Sequence, residues 1–343
     1  MAPKDKFDGG SPLYHQDHEP QIEWVPEEVE VKADPVQTQI VWRNVFIFGF
    51  LHLASVYALF LVPSAQPLTW LFSYFLFMIG ALGITAGAHR LWSHRSYKAR
   101  LPLRILLMIF NLTAAENHII EWCRDHRVHH KYSETSADPH NAKRGFFFAH
   151  VGWLLCRKHP DVIAKGKQLD FSDLYADPVL RFQRRFYMPL VILMCFIMPT
   201  IVPWLCWGES LWNAYFISAI LRYCVILNCT WLVNSAAHMW GNRPYDKHIN
   251  PAENILVTIG AIGEGFHNYH HTFPQDYSTS EFGIALNPTT IFINLMSKIG
   301  WAYGLKTIPK EIIEARKRRT GCLSAETADA DVQADRKACK SAK

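Results

Sequence analysis

Four long apolar runs constrain the fold of this chain more than any other feature of the sequence. Each run is close to the ~20 residues that an α-helix needs to cross the hydrocarbon core of a bilayer. They predict transmembrane helices at residues 45–62, 68–88, 187–207 and 211–233. Charged residues make up only 19% of the chain and cluster between the runs, as is typical of a multi-pass membrane protein.

The connections between the runs predict how the helices are paired. Short turns without a basic residue, PSAQP and GES, join the first run to the second and the third to the fourth. The segments at the other ends of the helices are longer and rich in Lys and Arg. The short turns predict two helical hairpins. Because basic loops remain in the cytosol, we expect both chain termini and a mostly helical cap on the cytosolic side.

Two shorter apolar segments, 101–115 and 254–263, lie within the predicted cap. Both are short for a span, so we expect interfacial or re-entrant helices that do not cross the membrane. This places residues 89–186 and 234–321 together on one face. Arg222 lies inside the fourth run, where a charge facing lipid is costly, and we expect it to face protein or an aqueous pocket.

The two ends of the chain differ in composition from the rest. Residues 1–40 are polar and acidic and predict a disordered cytosolic arm without the apolar core of a signal peptide. Residues 322–343 predict a disordered tail. The eight cysteines form no CxxC pair, which favours reduced thiols, and a net charge of +5 without a basic stripe indicates no nucleic-acid partner.

Histidine spacing is the strongest chemical signal in the cap. HRVHH and HNYHH each place imidazoles at positions i, i+3 and i+4, which share one face of a helix. HRLWSH has the spacing i, i+5, which a regular α-helix splays apart, so we expect that helix to end or unwind near Trp92. One more histidine follows Asn234 by four residues. The nine are His89, His94, His126, His129, His130, His238, His267, His270 and His271.

Nine imidazoles on one side of the membrane predict a metal centre. Imidazole suits zinc, copper, iron and nickel, and nine ligands are too many for one ion but reasonable for two. The neutral ring is the form that binds metal, whereas protonated rings would repel one another. Five other histidines lack such spacing and are predicted to be solvated or to lie outside the ligand set: His118, His140, His150, His159 and His248.

These sequences resemble those of the membrane acyl-CoA desaturases, in particular the Δ9 stearoyl-CoA desaturase type of animals, including insect relatives. The three histidine boxes alone are shared by a superfamily of membrane di-iron enzymes. Longer strings such as EWCRDHRVHHKYSETSADPH and TWLVNSAAHMWGNRPYDK are more specific. The resemblance runs over residues 41–321, which are therefore identified as a desaturase domain.

The resemblance implies an enzyme that uses O2 to introduce a cis double bond into a saturated C16–C18 fatty acyl-CoA. It implies two iron ions held by the nine histidines, with Asn234 contributing through a bound water. Electrons would come from NADH through cytochrome b5 reductase and cytochrome b5 in the endoplasmic reticulum membrane. The chain has no HPGG-type haem motif, so cytochrome b5 is expected to be a separate partner.

The resemblance also implies a substrate site. Residues expected to contact the CoA group, whose phosphates suit Arg and Lys, are Asn44, Asn117, Arg124, Asp125, Arg157 and Lys158. Residues expected to line a narrow tunnel for the acyl chain are Trp122, Trp153, Thr230 and Trp231. Small residues expected to set the depth of that tunnel are Gly80, Ala81 and Gly83.

Other functions stay open on the sequence alone. The strings AENHIIEW and FGIALNPTT depart from the vertebrate pattern, which leaves chain-length preference and the position of the double bond open. A membrane di-iron hydroxylase would share the boxes and spans but would insert oxygen. A zinc transporter would place its ligands within the spans, and a seven-span receptor would need more than four crossings.

Overall fold

Four helices are long and apolar enough to cross a membrane within residues 38–322, the part of the chain that the computed structural model describes. They confirm the predicted four-span, mostly helical membrane fold. Most of the predicted arm 1–40 and tail 322–343 lies outside the described residues. The helices are span 1 (Trp42–Ser64), span 2 (Pro67–Ser93), span 3 (Tyr187–Trp207) and span 4 (Leu211–Met239).

The helices of spans and cap are numbered together in chain order. They are α1 (Trp42–Leu61), α2 (Pro67–Leu82), α3 (Leu101–Ala114), α4 (Ile119–Tyr132), α5 (Phe146–His150), α6 (Pro160–Gly166), α7 (Ser172–Ala176), α8 (Pro178–Arg185), α9 (Tyr187–Val191), α10 (Met198–Trp207), α11 (Leu211–Asn213), α12 (Arg222–Asn234), α13 (Ala236–Met239), α14 (Ile255–Gly260), α15 (His267–Thr272), α16 (Pro288–Lys298) and α17 (Lys310–Thr320). Three π-helical segments complete spans 2, 3 and 4: Gly83–Ser93, Ile192–Ile197 and Ala214–Leu221. Short 3-10 turns are Val62–Ser64, Ala142–Arg144 and Gly152–Leu154, and two-residue strands β1 (Lys98–Ala99) and β2 (Ala302–Tyr303) pair antiparallel.

Span 1 has one face for lipid and one for protein. Phe46, Leu53 and Phe60 are 71%, 74% and 77% exposed, which suits side chains in contact with acyl chains. Leu51 and Ala54 are buried in a cluster with residues of span 4. The two hairpins therefore pack against each other through spans 1 and 4.

Glu209 ties the two hairpins together at the end opposite the cap. Its Oε2 accepts hydrogen bonds from the backbone N–H of Gln66 at 2.8 Å and from Thr69 Oγ1 at 2.6 Å. Both partners belong to the first hairpin, whereas Glu209 lies in the turn of the second. A buried carboxylate with these donors fixes the register of the hairpins at this end.

Helices α3 and α4 form a bent pair that meets at 84°. The carbonyl of Thr113, at the end of α3, accepts a hydrogen bond from Arg222 Nη1 at 2.7 Å, and the carbonyl of Cys195 accepts from Nη2 at 3.1 Å. Arg222 is 3% exposed, which confirms that it faces protein. The histidines of α4 meet those at the end of span 2, so the pair returns to the same side, as expected for a re-entrant segment.

Helix α14 is short and amphipathic. Ile255, Leu256 and Ile259 are 55%, 77% and 62% exposed, whereas Val257 is buried. An exposed apolar face on a six-residue helix fits contact with the membrane surface and is far too short for a span.

Candidate metal centre

The first two histidines lie on the π-helical end of span 2. Hydrogen bonds in a π-helix join residues five apart, and the backbone N–H of His94 donates to the carbonyl of His89 at 3.1 Å. The centroids of their rings are 4.9 Å apart. The helix is unwound to a π-helix and ends at Ser93, next to Trp92, as predicted. This winding places residues i and i+5 on one face, which a regular α-helix would not do.

The two HxxHH sequences lie on helices α4 and α15, as predicted. Each triplet is divided between two groups of ligands rather than pointing into one volume. In α4, His126 and His130 join one group and His129 joins the other. In α15, His270 joins the first of these groups, and His267 and His271 join the second. Each group therefore takes side chains from both helices.

All nine predicted histidines enter these two groups. Within a group, one ligand nitrogen from each residue lies within 4.8 Å of every other. His238, at the end of span 4, belongs to the second group. The first group is His89, His94, His126, His130 and His270, and the second is His129, His238, His267 and His271.

Carboxylates fix the orientation of three of these rings. His89 Nδ1 lies 3.0 Å from Glu264 Oε2, and Oε1 of the same carboxylate accepts from Arg90 Nη2 at 2.8 Å. His129 Nδ1 lies 2.9 Å from Asp138 Oδ1. In the same way, His238 Nδ1 lies 2.7 Å from Oε1 of Glu134. A carboxylate at Nδ1 holds the proton there and leaves Nε2 free to bind a metal.

The environment keeps the rings uncharged. Burial lowers the pKa of six rings well below the usual value for histidine, and the charge of neighbouring histidines lowers it further. At neutral pH these side chains are therefore in the form that binds metal. They are His94, His126, His130, His267, His270 and His271.

The nitrogen atoms that face each other fit metal ions better than they fit hydrogen bonds. His89 and His270 approach to 2.9 Å between their Nε2 atoms, and His238 and His267 also to 2.9 Å. Two ligands at right angles on one ion with bonds of ~2.1 Å have about this separation. Nε2 of His129 is buried and finds no hydrogen-bond partner among the described residues, so its lone pair is available to a metal ion.

Two cavities meet at these histidines. The outer cavity is lined by residues of the cap and span 4, including Asn117, Asp125 and Trp153. The inner cavity runs between spans 2 and 4 to Phe77, about three helical turns before His89. Both cavities share four lining residues, which we call the junction: Trp122, His126, Thr230 and Asn234.

Comparison with known proteins relates this arrangement to one family. The sequence model of the family described as fatty acid desaturase matches residues 65–281. The chain is 68% identical to stearoyl-CoA desaturase 5 of Bos taurus over 286 residues, which cover 83% of this chain and 85% of that protein. The chain belongs to the fatty acid desaturase family. It is also 65% identical to stearoyl-CoA desaturase 5 of Homo sapiens and 66% identical to an acyl-CoA desaturase of Cyprinus carpio, each over 83% of this chain and 87% of the relative.

In this desaturase the residues expected to form the tunnel lie together. Trp122, Trp153, Thr230 and Trp231 all line the outer cavity. The indole of Trp122 stacks on the ring of His126, with centroids 4.9 Å apart and planes at 25°. This contact places the wall of the outer cavity directly against the first group of histidines.

The residues expected to contact CoA are more dispersed. Asn117 and Asp125 line the outer cavity, and Asp125 Oδ1 accepts from Lys158 Nζ at 2.7 Å. Arg157 is exposed beside Lys158. Arg124 is half-buried against Gly166 of α6. The amide of Asn44 donates to the carbonyl of Leu154 at 2.7 Å, which anchors span 1 to the cap.

Of the three residues expected to set tunnel depth, only Ala81 lines the inner cavity. A Cβ on Gly80 would meet Ile226 Cδ1 at 2.9 Å, and one on Gly83 would meet the backbone N of Asn111 at 2.2 Å. These two glycines let α2 and the π-helix approach their neighbours closely, and their expected role in tunnel depth stays a prediction.

Sequence reasoning missed the carboxylates Glu134, Asp138 and Glu264. They lie inside or beside the quoted strings, but their sequence separation from the rings they orient gave no spacing signal. The available signal was chemical, since a ligating histidine usually donates its other N–H to a carboxylate. Of the histidines predicted to lie outside the ligand set, His140 forms a third group with His129 and Asp138, whose possible ligand atoms lie within 4.8 Å of one another. His140 is buried beside Asp138, with Nδ1 3.7 Å from Oδ1.

Proposed function

We propose that this protein is an acyl-CoA desaturase that forms a cis double bond at the Δ9 position of saturated C16–C18 fatty acyl-CoA. Its relatives are named stearoyl-CoA or acyl-CoA desaturases. The observation that carries the proposal is the junction. A chain that runs from the outer to the inner cavity passes Trp122 and His126, beside the first group of histidines.

The two groups of histidines would each hold one iron ion, with Asn234 completing the second through a water. Supplied with O2 and two electrons, a pair of iron ions provides the oxidising power to remove hydrogen from unactivated C–H bonds. Glu264, Asp138 and Glu134 would orient the ligands by holding protons on Nδ1 of His89, His129 and His238.

The remaining residues would bind the substrate and exclude water. Arg157 and Lys158 would receive the phosphates of CoA near the surface, with Arg124, Asn44, Asn117 and Asp125 nearby. Trp153, Trp231 and Leu154 would guide the chain toward the junction. Apolar side chains such as Ile84 and Val233 would keep the inner cavity dry around its methyl end.

We further infer cytochrome b5, reduced by its reductase and NADH, as the electron donor in the endoplasmic reticulum membrane, with both termini of the chain in the cytosol. The ring of His94 is half-buried and lines a recess of the cap surface, which offers electrons a short path to the first group. The concentration of basic residues in the cap supports a cytosolic position for it.

The test is a product assay in a desaturase-deficient yeast. Fatty acids would be analysed by gas chromatography–mass spectrometry with location of double bonds, and His130→Ala would serve as the inactive control. Δ9 monounsaturated C16 and C18 acids, absent in the control, are the expected result. A double bond at another position would overturn the Δ9 assignment, and hydroxylated acids would indicate an oxygenase. No product from an iron-loaded protein with cytochrome b5 would refute the proposal.

A further inference from the structure

Glu116 connects two walls of the channel. It lies in the turn between α3 and α4 and lines the outer cavity. Its Oε1 lies 2.7 Å from Thr230 Oγ1 on span 4, and its Oε2 accepts from Trp122 Nε1 on α4 at 3.4 Å. Because Trp122 and Thr230 both belong to the junction, this one carboxyl group links the elements that shape it.

Glu116 differs from the other carboxyl groups of the two cavities in having no cation beside it. Asp125 is paired with Lys158, and Glu264 with Arg90. Among the described residues, no Lys, Arg or His nitrogen lies within salt-bridge distance of Glu116. Unpaired ionised carboxylates are costly in such surroundings.

The titratable groups that face Glu116 carry no positive charge. They are Tyr187 of span 3 and, from span 4, Tyr223 and Cys229. The hydroxyl of Tyr223 donates to the carbonyl of Ala115 at 3.2 Å, and the nearby guanidinium of Arg222 is committed to backbone carbonyls. Nothing in this set stabilises a negative charge at Glu116 strongly.

The hydrogen bonds indicate where a proton would sit. Burial raises the pKa of Glu116 from 4.5 to about 8, and the bonds from Thr230 and Trp122 offset only part of this effect. The indole N–H of Trp122 can only donate, so Oε2 must accept. In the ionised form Thr230 Oγ1 donates to Oε1. In the uncharged acid, which dominates at neutral pH, the proton lies on Oε1 and this bond is reversed, with Oε1–H donating to Thr230 Oγ1.

We propose that Glu116 is a positioning residue that acts as an uncharged carboxylic acid, holding Trp122 and Thr230 in place so that the acyl chain can pass the junction. This inference rests on the proposed function. Ionisation would put a negative charge without a counter-ion against the hydrocarbon chain. It would weaken binding of acyl-CoA more than it changes the step at the metal centre.

Glu116→Gln distinguishes the effect of the uncharged acid from that of the ionised carboxylate, because the amide has the same shape as the acid and no ionisable proton. We would measure kcat/KM for stearoyl-CoA between pH 7 and 9 in microsomes with one common electron-donor system, normalising each enzyme to its own rate at pH 7. With a pKa of about 8, the uncharged fraction falls about tenfold over this interval. The wild-type profile should therefore fall about tenfold relative to that of E116Q, mainly through a rise in KM.

Glu311→Gln is the matched control, since it removes an exposed carboxylate on α17. Its pH profile should follow that of the wild type. Identical profiles for wild type and E116Q would overturn the inference while leaving desaturation at pH 7 intact. If the wild-type protein shows no desaturation at pH 7, the proposed function itself is refuted.

Infrared difference spectroscopy tests protonation without relying on activity. Spectra of the purified protein at about pH 7 and about pH 9.5 should differ by the C=O band of a protonated carboxyl group. Burial also raises the pKa of Glu253 to about 8, so E116Q should lose part of this band, whereas E311Q should keep all of it. A wild-type spectrum that lacks the E116-dependent band at about pH 7 would overturn the inference.

Discussion

Replacing Glu264 by Gln tests how the protein orients its metal ligands. Glu264 is 6% exposed and accepts hydrogen bonds from Arg90 Nε at 3.1 Å and Nη2 at 2.8 Å, while His89 Nδ1 lies 3.0 Å from its other oxygen. Glutamine has the same shape, but one of its two terminal atoms is a donor. Either Arg90 or His89 must then face an N–H group instead of an acceptor.

The expected loss of stability follows from the burial of Arg90, which is 0% exposed. Removing one partner of a buried ion pair costs about 3–5 kcal/mol. The pKa of Glu264 supports this range. Burial alone would raise it, but Arg90 and His89 hold it at about 2 instead of 4.5, which corresponds to about 3 kcal/mol. Because the pKa is lowered, this contribution is present above about pH 4.5 and is lost as the pH falls toward about 2.

Thermal unfolding in detergent provides the assay, with Glu134→Gln as the matched variant. Glu134 also orients a ligand, His238, but its other partner is the neutral amide of Asn250. E264Q should lower Tm by on the order of 10 °C and E134Q by much less. Both should weaken metal binding by roughly 10–100-fold. Equal falls in Tm would refute the claim that Arg90 depends on Glu264.

Three further substitutions have defined outcomes. Gly83→Ala places a Cβ 2.2 Å from a backbone atom of α3 and should lower stability by roughly 1–3 kcal/mol. Gly49→Ala, whose Cβ meets nothing within 4 Å, should leave stability unchanged. Similar Tm values for the two variants would contradict the close packing of Gly83. Arg222→Met removes the guanidinium that donates to three buried carbonyls, those of Thr113, Cys195 and Ser218, and should lower stability by roughly 1–3 kcal/mol for each carbonyl left without a donor. An unchanged Tm would count against this role. Ala81→Leu fills the inner cavity and should favour the C16 over the C18 substrate by on the order of tenfold, at ~0.8 kcal/mol per methylene; an unchanged product ratio would place the chain elsewhere.

The spans and the ligand set could be predicted from the sequence because each has a local signature. Apolar length predicts a crossing, and the spacing of the histidine boxes predicts shared helix faces. His238 was found because it follows Asn234 by one helical turn at the end of a span. The resemblance to desaturases then supplied the expected use of these residues.

The winding of span 2 and the division of the triplets could not be predicted in this way. An i, i+5 spacing fits an ending helix as well as a π-helix, and only packing against α3 and α4 decides between them. The division of His126, His129 and His130 depends on where α15 lies, which is a tertiary fact. Contacts such as Glu116 to Thr230 join residues far apart in sequence and leave no local pattern.

The proposed function requires that the nine histidines hold two iron ions in sets of five and four. The most direct measurement is an anomalous difference map at the iron absorption edge, from crystals of iron-loaded protein. We expect two peaks, one among His89, His94, His126, His130 and His270 and one among His129, His238, His267 and His271. A single peak, or iron bound outside these two groups, would contradict the account.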